Sequence, residues 1–560
     1  MTKRRWLILL LVVLGLCALT ALCGTVGWLA YERWGESDGG KDDDDTVLVT
    51  PTRASQGDDT QEEFDADGEL RLAGGIPPTL DPGVVQDATS AEYIVHLFSG
   101  LVRLDNNLEI APDLAENWTI SEDGRTYRFE LRSEATFQDG RRVTAEDVVY
   151  SIERALSPEL ESPVALGYLG DIEGAAAYAM GQAGGVEGLA AVDEGTIEIR
   201  IDAPKAFFLA KLTYPTSYVV DREQVESDDE WTTSPNGTGP FVLDELSASR
   251  IVLERNARYY GTMPKLARVT YLLDGGLPIT MYESDELDLV EIGVGEIERV
   301  LDPYNALNDE LVISSELSVQ YLGLNVDLPP FDDPLVRQAF AHAIDRDKIA
   351  ELVLKGSATA AVGVLPPGMP DFDPTFEGIV YDPERARDLL AASETVQAGV
   401  MPEIVLTVSG TSGSMPPVAG AVVAMIEENL GLEIMVEQVE WGYFLRDLNW
   451  NRYQMFSAGW IADYPDSQNF MDLLFHSQSG QNHTGYANPQ VDALLEQARV
   501  EQDGMERERL YRKAEAIVVG EAPWIPLTHG VTYTLVKPSL GGYHASAGLY
   551  PWLVDIYQKE

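Results

Sequence analysis

Alternating apolar residues mark the strands of this chain. In NWTISEDGRTYRFELR, Trp118 and Ile120 precede a turn at Asp123-Gly124, and Tyr127, Phe129 and Leu131 alternate after it, which predicts a β-hairpin. TIEIRI (Thr196–Ile201) and RIVLER (Arg250–Arg255) alternate in the same way. EIVLTVS (Glu403–Ser409) and EIMVEQV (Glu433–Val439) flank a helical pattern, which predicts a βαβ unit. Helices are marked by caps. Thr144 stands three residues before Asp147, a capping-box spacing, and Val148, Val149, Ile152, Ala155 and Leu156 follow on one face. Asp333-Pro334 opens a second helix, with a stripe of Leu335, Val336, Ala339, Phe340, Ala343 and Ile344. Asn488-Pro489 and Asp382-Pro383 repeat the device. Strands and helices mix without strict alternation and without an internal repeat, so the expectation is α/β or α+β in more than one lobe.

The N-terminus has a different pattern. Lys3, Arg4 and Arg5 precede an apolar run from Trp6 to about Tyr31, long enough to span a bilayer. Residues 1–34 are therefore expected to form a membrane anchor or uncleaved signal, with the remainder of the chain outside the cytoplasm. Trp6, Trp28, Tyr31 and Trp34 stand where interfacial aromatics belong. A lipoprotein signal at Cys23 is the alternative, although Leu22 stands where such a signal wants a small residue. Residues 35–68 are polar and acidic, with too few apolar side chains to offset ordering entropy, and predict a flexible stalk. A linker of that kind reaches on the order of 30 Å.

Charge and cysteine narrow the chemistry. The 560 residues carry 92 acids against 39 bases, a formal net charge of −53. That disfavours nucleic acid or an anionic membrane surface as the main partner and fits an attraction for cationic solutes, with solubility or salt adaptation the simpler account. Cys17 and Cys23 both precede the body, so no disulfide, thiol nucleophile or thiolate metal site is expected there. None of the six histidines forms HExxH, and HSQSGQNH (His476–His483) reads as loop with surface or hydrogen-bonded histidines. No GxSxG elbow, P-loop or post-strand GxGxxG is present, and nothing composes a nucleophile, base and oxyanion hole. Neither catalysis, a cofactor nor a metal is expected.

SAGWIADYPDSQNF (Ser457–Phe470) sets Asp463 and Asp466 among Trp460, Tyr464 and Phe470. A carboxylate among aromatics needs a partner, because burying an unpaired charge is costly. An internal Arg, a metal or a ligand would each serve.

Several blocks, taken in order, resemble the family 5 solute-binding proteins of ABC transporters, the dipeptide- and oligopeptide-binding group. The most specific is Ala111–Leu156, with a Trp before a hairpin, then F-x-D-G and T-A-x-D-V. NGTGPFVLDE with ERNARYYG, YLGLNVDLPPFDDPLVRQAFAHAIDRDKI, SAGWIADYPDSQNF, and YANPQVDALLEQAR with ERERLYRKAEAIVVGEAPWIPLTHG follow. The resemblance runs from about residue 69 to the C-terminus. It implies an α/β, periplasmic-binding-protein-like two-lobe clamp with a hinge and an extra subdomain. Mapped here, lobe I takes 69–112, 235–322 and 526–560, the extra subdomain 113–234, and lobe II 323–525. The chain then crosses between lobes near Leu322–Val326 and Trp524–Thr528.

The resemblance also implies a function: a monomeric, membrane-tethered receptor that gives peptides to ABC transporter permease subunits. The Asp of the family's G-W-x-x-D segment, which holds the ligand's α-ammonium, falls on Asp463. Trp460 and Tyr464 are then candidate cleft walls, with core packing the other reading for Trp460, and Asp466 shapes the turn after Pro465. Asn325, in YLGLN, is a candidate to hold ligand main chain or else belongs to a plain hinge strand. The TAED and FDDPLVRQA blocks are expected to be scaffold. Relatives that bind nickel chelates or oligosaccharides keep other solutes open. A surface peptidase and a tethered sensor are the rivals from other classes.

Overall fold

The computed structural model describes residues 46–48, 65–399, 401–411, 413–545 and 551–559. The expected anchor at 1–34 and nearly all of the acidic linker lie outside the described residues. Among the described residues no helix is long and apolar enough to cross a membrane.

The body opens with β1 (Glu69–Ala73) and α1 (Ala88–Leu97), whose N-cap Asp87 accepts from the Ser90 N–H. The hairpin follows as β2 (Ala115–Ser121) and β3 (Thr126–Leu131), in a register that sets Trp118 against Phe129 and Ile120 against Tyr127. Its turn favours Gly124, which sits at φ 68°, where glycine is the least strained residue. The predicted capping box is present in α2 (Ala145–Leu156): the Thr144 and Asp147 side chains each bond the other's backbone N–H. The short helix α3 (Ala165–Leu169), then β4 (Leu189–Asp193) and β5 (Thr196–Arg200), complete this part, with strands ordered β2-β3-β5-β4.

Next come β6 (Phe241–Leu246), β7 (Arg250–Arg255), β8 (Arg268–Leu272), β9 (Leu289–Glu291) and β10 (Ser318–Leu324). Asp333 and Asp382 cap α4 (Pro334–Ala343) and α5 (Pro383–Ala392) through backbone N–H groups, as predicted. The predicted βαβ unit is β11 (Ile404–Ser409), α6 (Pro417–Leu430) and β12 (Ile434–Val439), and its strands pair in parallel. After α7 (Trp441–Asn449), β13 (Met455–Ile461) leads to α8 (Gln468–Phe475). Two long helices, α9 (Pro489–Val500) and α10 (Gly504–Glu521), precede β14 (Trp524–Val536).

One mixed sheet runs through the body in the order β12-β11-β13-β10-β14-β9-β1-β8-β7-β6. Its middle is the antiparallel pair β10 and β14, with Leu322 opposite Ile525 and Gly323 opposite Trp524. These strands carry the two segments where the sequence places the crossings between lobes. The Tyr321 and Trp524 rings stack on one another at that pair, 8° from parallel. On one side of it, Leu322, Leu324, Ile404, Leu406, Val422, Ile426 and Ile525 form a core with the inner faces of α4, α5 and α6. Such cores supply most of the driving force for folding. The segments resembling the family most specifically serve this scaffold. Arg141, just after F-x-D-G, bridges Asp147 and Asp221, and Arg337 bonds the Phe331 and Glu521 carbonyls.

Candidate functional site: a cavity lined by an unpaired carboxylate

A cavity of ≈600 Å³ lies over the β10–β14 pair, whose Gln320, Tyr321, Leu527 and Thr528 form part of its lining. One wall comes from Gln86–Ala88, Ala91, Val164, Tyr168 and Tyr214. The opposite wall is built by the start of α6, by α7 through Trp441, Phe444 and Leu448, and by β13 and the turn after it. A smaller cavity of ≈120 Å³ adjoins it, and Ala91, Tyr214 and Asp463 line both.

Asp463 follows the end of β13 and precedes α8, so a strand delivers it to the cavity and a helix fixes it there. Buried Asn469, in the first turn of α8, does the fixing. Its amide donates to Asp463 Oδ2 at 2.8 Å, and its Oδ1 accepts the Asp463 N–H at 3.1 Å and Trp460 Nε1–H at 3.0 Å. Tyr168, 295 residues away, donates its phenol to the same Oδ2 from the facing wall and stacks on Tyr214 at 3.7 Å. Among the described residues, Asp463 Oδ1 accepts no protein hydrogen bond and no Lys, Arg or His pairs with the carboxylate. Burial pushes the Asp463 carboxyl up to about 6, only partly offset by the bonds from Tyr168 and Asn469.

Asp466, three residues on, has its own cation: Arg507 holds it with two nitrogens, at 2.6 and 2.9 Å. It also accepts the Gln468 N–H at 2.9 Å, the expected turn-shaping bond. Asp171 takes Lys205 at 2.5 Å and Lys211 at 2.7 Å, and Asp472 takes Arg499.

The structure brings three of the four sequence candidates together. Half-buried Trp460 lines the larger cavity, and buried Tyr464, whose phenol donates to Gln468 at 2.5 Å, lines the smaller. Asn325 is the exception and corrects its expected ligand role. It sits just past the end of β10, fully buried, where its amide donates to the Asn451 and Tyr453 carbonyls and its Oδ1 accepts the Asp327 N–H. It lines neither cavity. Both of its amide donors and one lone pair of its Oδ1 are committed to anchoring the backbone after the strand.

Of the two readings of the HSQSGQNH histidines, surface or hydrogen-bonded, the second holds: His476 and His483 are both buried, and His476 Nδ1 accepts the Gln478 N–H at 3.2 Å. His483 and Gln481 line the larger cavity, and His483 Nε2 meets Asn449 Oδ1 at 3.1 Å. Sequence reasoning missed Tyr168, Tyr214, Asn449 and Asn469. Of these only Asn469, six residues after Asp463 in the same segment, left a local trace.

Hydrogen bonds also cross the cavity mouth. Asn449 donates to Gln86 at 3.0 Å and Gln481 to the Pro163 carbonyl at 3.4 Å, in addition to Tyr168 with Asp463. The two walls are therefore closed on each other. Among the described residues no cluster of three or more His, Cys, Asp or Glu is placed to hold a metal ion.

A family model described as bacterial extracellular solute-binding proteins, family 5, matches residues 109–482. The chain belongs to that family. It is 32% identical over 480 residues to the probable deoxycholate-binding periplasmic protein YgiS of Escherichia coli, covering 83% of this chain and 89% of the relative. The periplasmic oligopeptide-binding protein OppA of Escherichia coli is 30% identical, with coverage of 85% and 89%. Among solved structures, the Escherichia coli murein tripeptide binding protein MppA superposes with a TM-score of 0.81 at 28% identity, over 89% of this chain and 99% of that one. The fold is accordingly the two-lobe, periplasmic-binding-protein-like α/β clamp. Against the unliganded open form of MppA the TM-score falls to 0.65 at the same identity. That drop accords with the hydrogen bonds closing the cavity mouth here.

Proposed function

We propose that this chain is an extracytoplasmic receptor that captures peptides in its inter-lobe cavity and passes them to an ABC transporter permease. The observation that carries the reading is Asp463, a carboxylate at the cavity wall that is held only by neutral donors and has one oxygen without a protein partner among the described residues. A peptide's α-ammonium supplies the missing cation, and a charge-assisted bond in a closed, water-poor cavity is stronger than in water. Trp460 and Tyr464 act as the apolar walls beside it. The family membership and peptide-binding relatives such as OppA point the same way.

In this reading lobe I comprises 69–112, 235–322 and 526–560, the extra subdomain 113–234, and lobe II 323–525. The β10–β14 pair is the hinge. Binding shifts an open–closed equilibrium toward the closed form, which the permease recognises. The receptor works as a monomer, held at the membrane by residues 1–34 through the acidic stalk, and it breaks no bond in its cargo. Calorimetry of Asp463→Ala tests the site: peptide affinity is expected to weaken by about 1.5–3 kcal/mol, the scale of a hydrogen bond to a charged group. Unchanged affinity removes Asp463 from the site. Turnover of a quenched peptide library makes the chain a peptidase instead, and peptide uptake that survives its deletion makes it a sensor.

A further inference from the structure

The charges around the larger cavity are one-sided. Asp463 and Asp87 line it, and among the described residues no Lys or Arg does. Asp87 is buried and occupied in capping α1, where it accepts the Ser90 N–H at 3.0 Å. His483 adds no charge at neutral pH, because burial pushes it down to about 4. Cations outside the lining are committed elsewhere: Lys205 and Lys211 to Asp171, and Arg507 to Asp466. Arg103 lines only the smaller cavity, where it donates to the Leu104 carbonyl at 3.1 Å and its guanidinium lies over Trp552, 4.9 Å from the ring centre.

One electropositive feature remains in the larger cavity. The start of α6 lines the larger cavity, and its N-cap, Pro416, offers no side-chain cap. A helix end carries about half an elementary charge, against one full negative charge on each of the two aspartates. That is too little to hold a carboxylate that has left water, since an ion buried without a full partner is strongly penalised.

We infer that the cavity accepts peptides that bring one positive charge and no negative charge inside it: their carboxylate is either blocked or carried past the cavity by a longer chain. The inference rests on the reading of Asp463 as the α-ammonium partner and adds a rule for the other end of the ligand. Short free-acid peptides, and steroid acids of the kind named for the YgiS relative, are excluded by the same wall. A nonapeptide, at roughly 30 Å extended, places its carboxylate in solvent.

The test is calorimetry on the purified full-length chain with one apolar tetrapeptide in three forms, free acid, C-terminal amide and N-acetylated amide, together with a nonapeptide acid and amide and with deoxycholate. The tetrapeptide amide is expected to bind about tenfold or more tighter than its acid, which is the size of effect that separates a bound from an excluded carboxylate. The gap is expected to close in the nonapeptide, and deoxycholate is expected to give no binding heat. Gln320→Lys, which adds a cation at an exposed side chain in the lining, is expected to narrow the tetrapeptide gap. A tetrapeptide acid that binds as tightly as its amide, or tighter, overturns the inference, as does deoxycholate binding. Acetylation answers the separate question. If the acetylated amide binds like the free amine, the α-ammonium reading of Asp463 fails, whatever the acid–amide comparison gives. Absence of binding by every peptide overturns both.

Discussion

Asp463 and Asp466 lie three residues apart in one turn and are treated in opposite ways. Asp466 is locked by both arms of Arg507 and shapes the start of α8. Asp463 receives only a phenol and an amide, and faces a cavity. The first arrangement belongs to folding, because each charge meets its opposite as the chain closes. The second keeps a carboxyl raised by burial, a condition that costs stability and makes sense where a partner arrives later. The contrast extends beyond the turn. Burial pushes Asp171 upward, but Lys211 and Lys205 outweigh it and hold the carboxyl below its usual range.

The contrast breaks most visibly at Arg507. Arg507→Ala leaves the half-buried Asp466 without its cation, and a loss of about 2–4 kcal/mol, somewhat under that for a fully buried pair, is expected in urea denaturation. Replacing both partners with Leu and Met is expected to restore most of that, since a well-packed apolar pair often matches a buried ion pair. Asp463→Ala is expected to do the reverse, reducing affinity while leaving the denaturation midpoint near that of the parent.

Titration sharpens the same point. The Asp463 carboxyl titrates near 6 in the folded chain, above the ordinary Asp value near 4 of the unfolded one. Between those values the folded state binds more protons, so this group's contribution to stability falls as pH rises from about 4 to about 6. Asp463→Asn lacks that dependence. It is expected to exceed the parent by on the order of 1–3 kcal/mol at pH 7 and by much less at pH 4.5, read as the difference between paired urea titrations. A difference that does not change with pH places the Asp463 carboxyl in an ordinary solvated setting. The smallest expected effect is at the mouth. Gln86→Ala removes the bond from Asn449, weakening peptide affinity by about 0.5–1.5 kcal/mol and enlarging the ligand-free radius of gyration in X-ray scattering.

Much of the scaffold was legible because its signals are local. The Trp118–Leu131 hairpin, the Thr144 capping box and the β11–α6–β12 unit each declare themselves within a few turns of chain. Asp463 was legible through its segment. Its environment was not: Tyr168 reaches it from 295 residues away, and Tyr214 comes from another loop again. No periodicity carries such a meeting. Asn325 failed for a nearer reason. YLGLN reads as continuous strand, but β10 ends at Leu324, and an Asn at that edge turns its amide onto neighbouring backbone. For the histidines the hydrogen-bonded reading held and only the surface one did not, because a polar loop sequence does not reveal that the loop packs inward.

The pairing of β10 with β14 has a mechanical consequence. Two separate tethers would let the jaws slide, twist and hinge independently. In the proposed reading the tethers are hydrogen-bonded neighbours capped by a ring stack, so they are expected to bend as one ribbon, with relative motion reduced to essentially a single angle. One dye pair across the mouth would then read cargo occupancy directly, and the calibration curve would be monotonic.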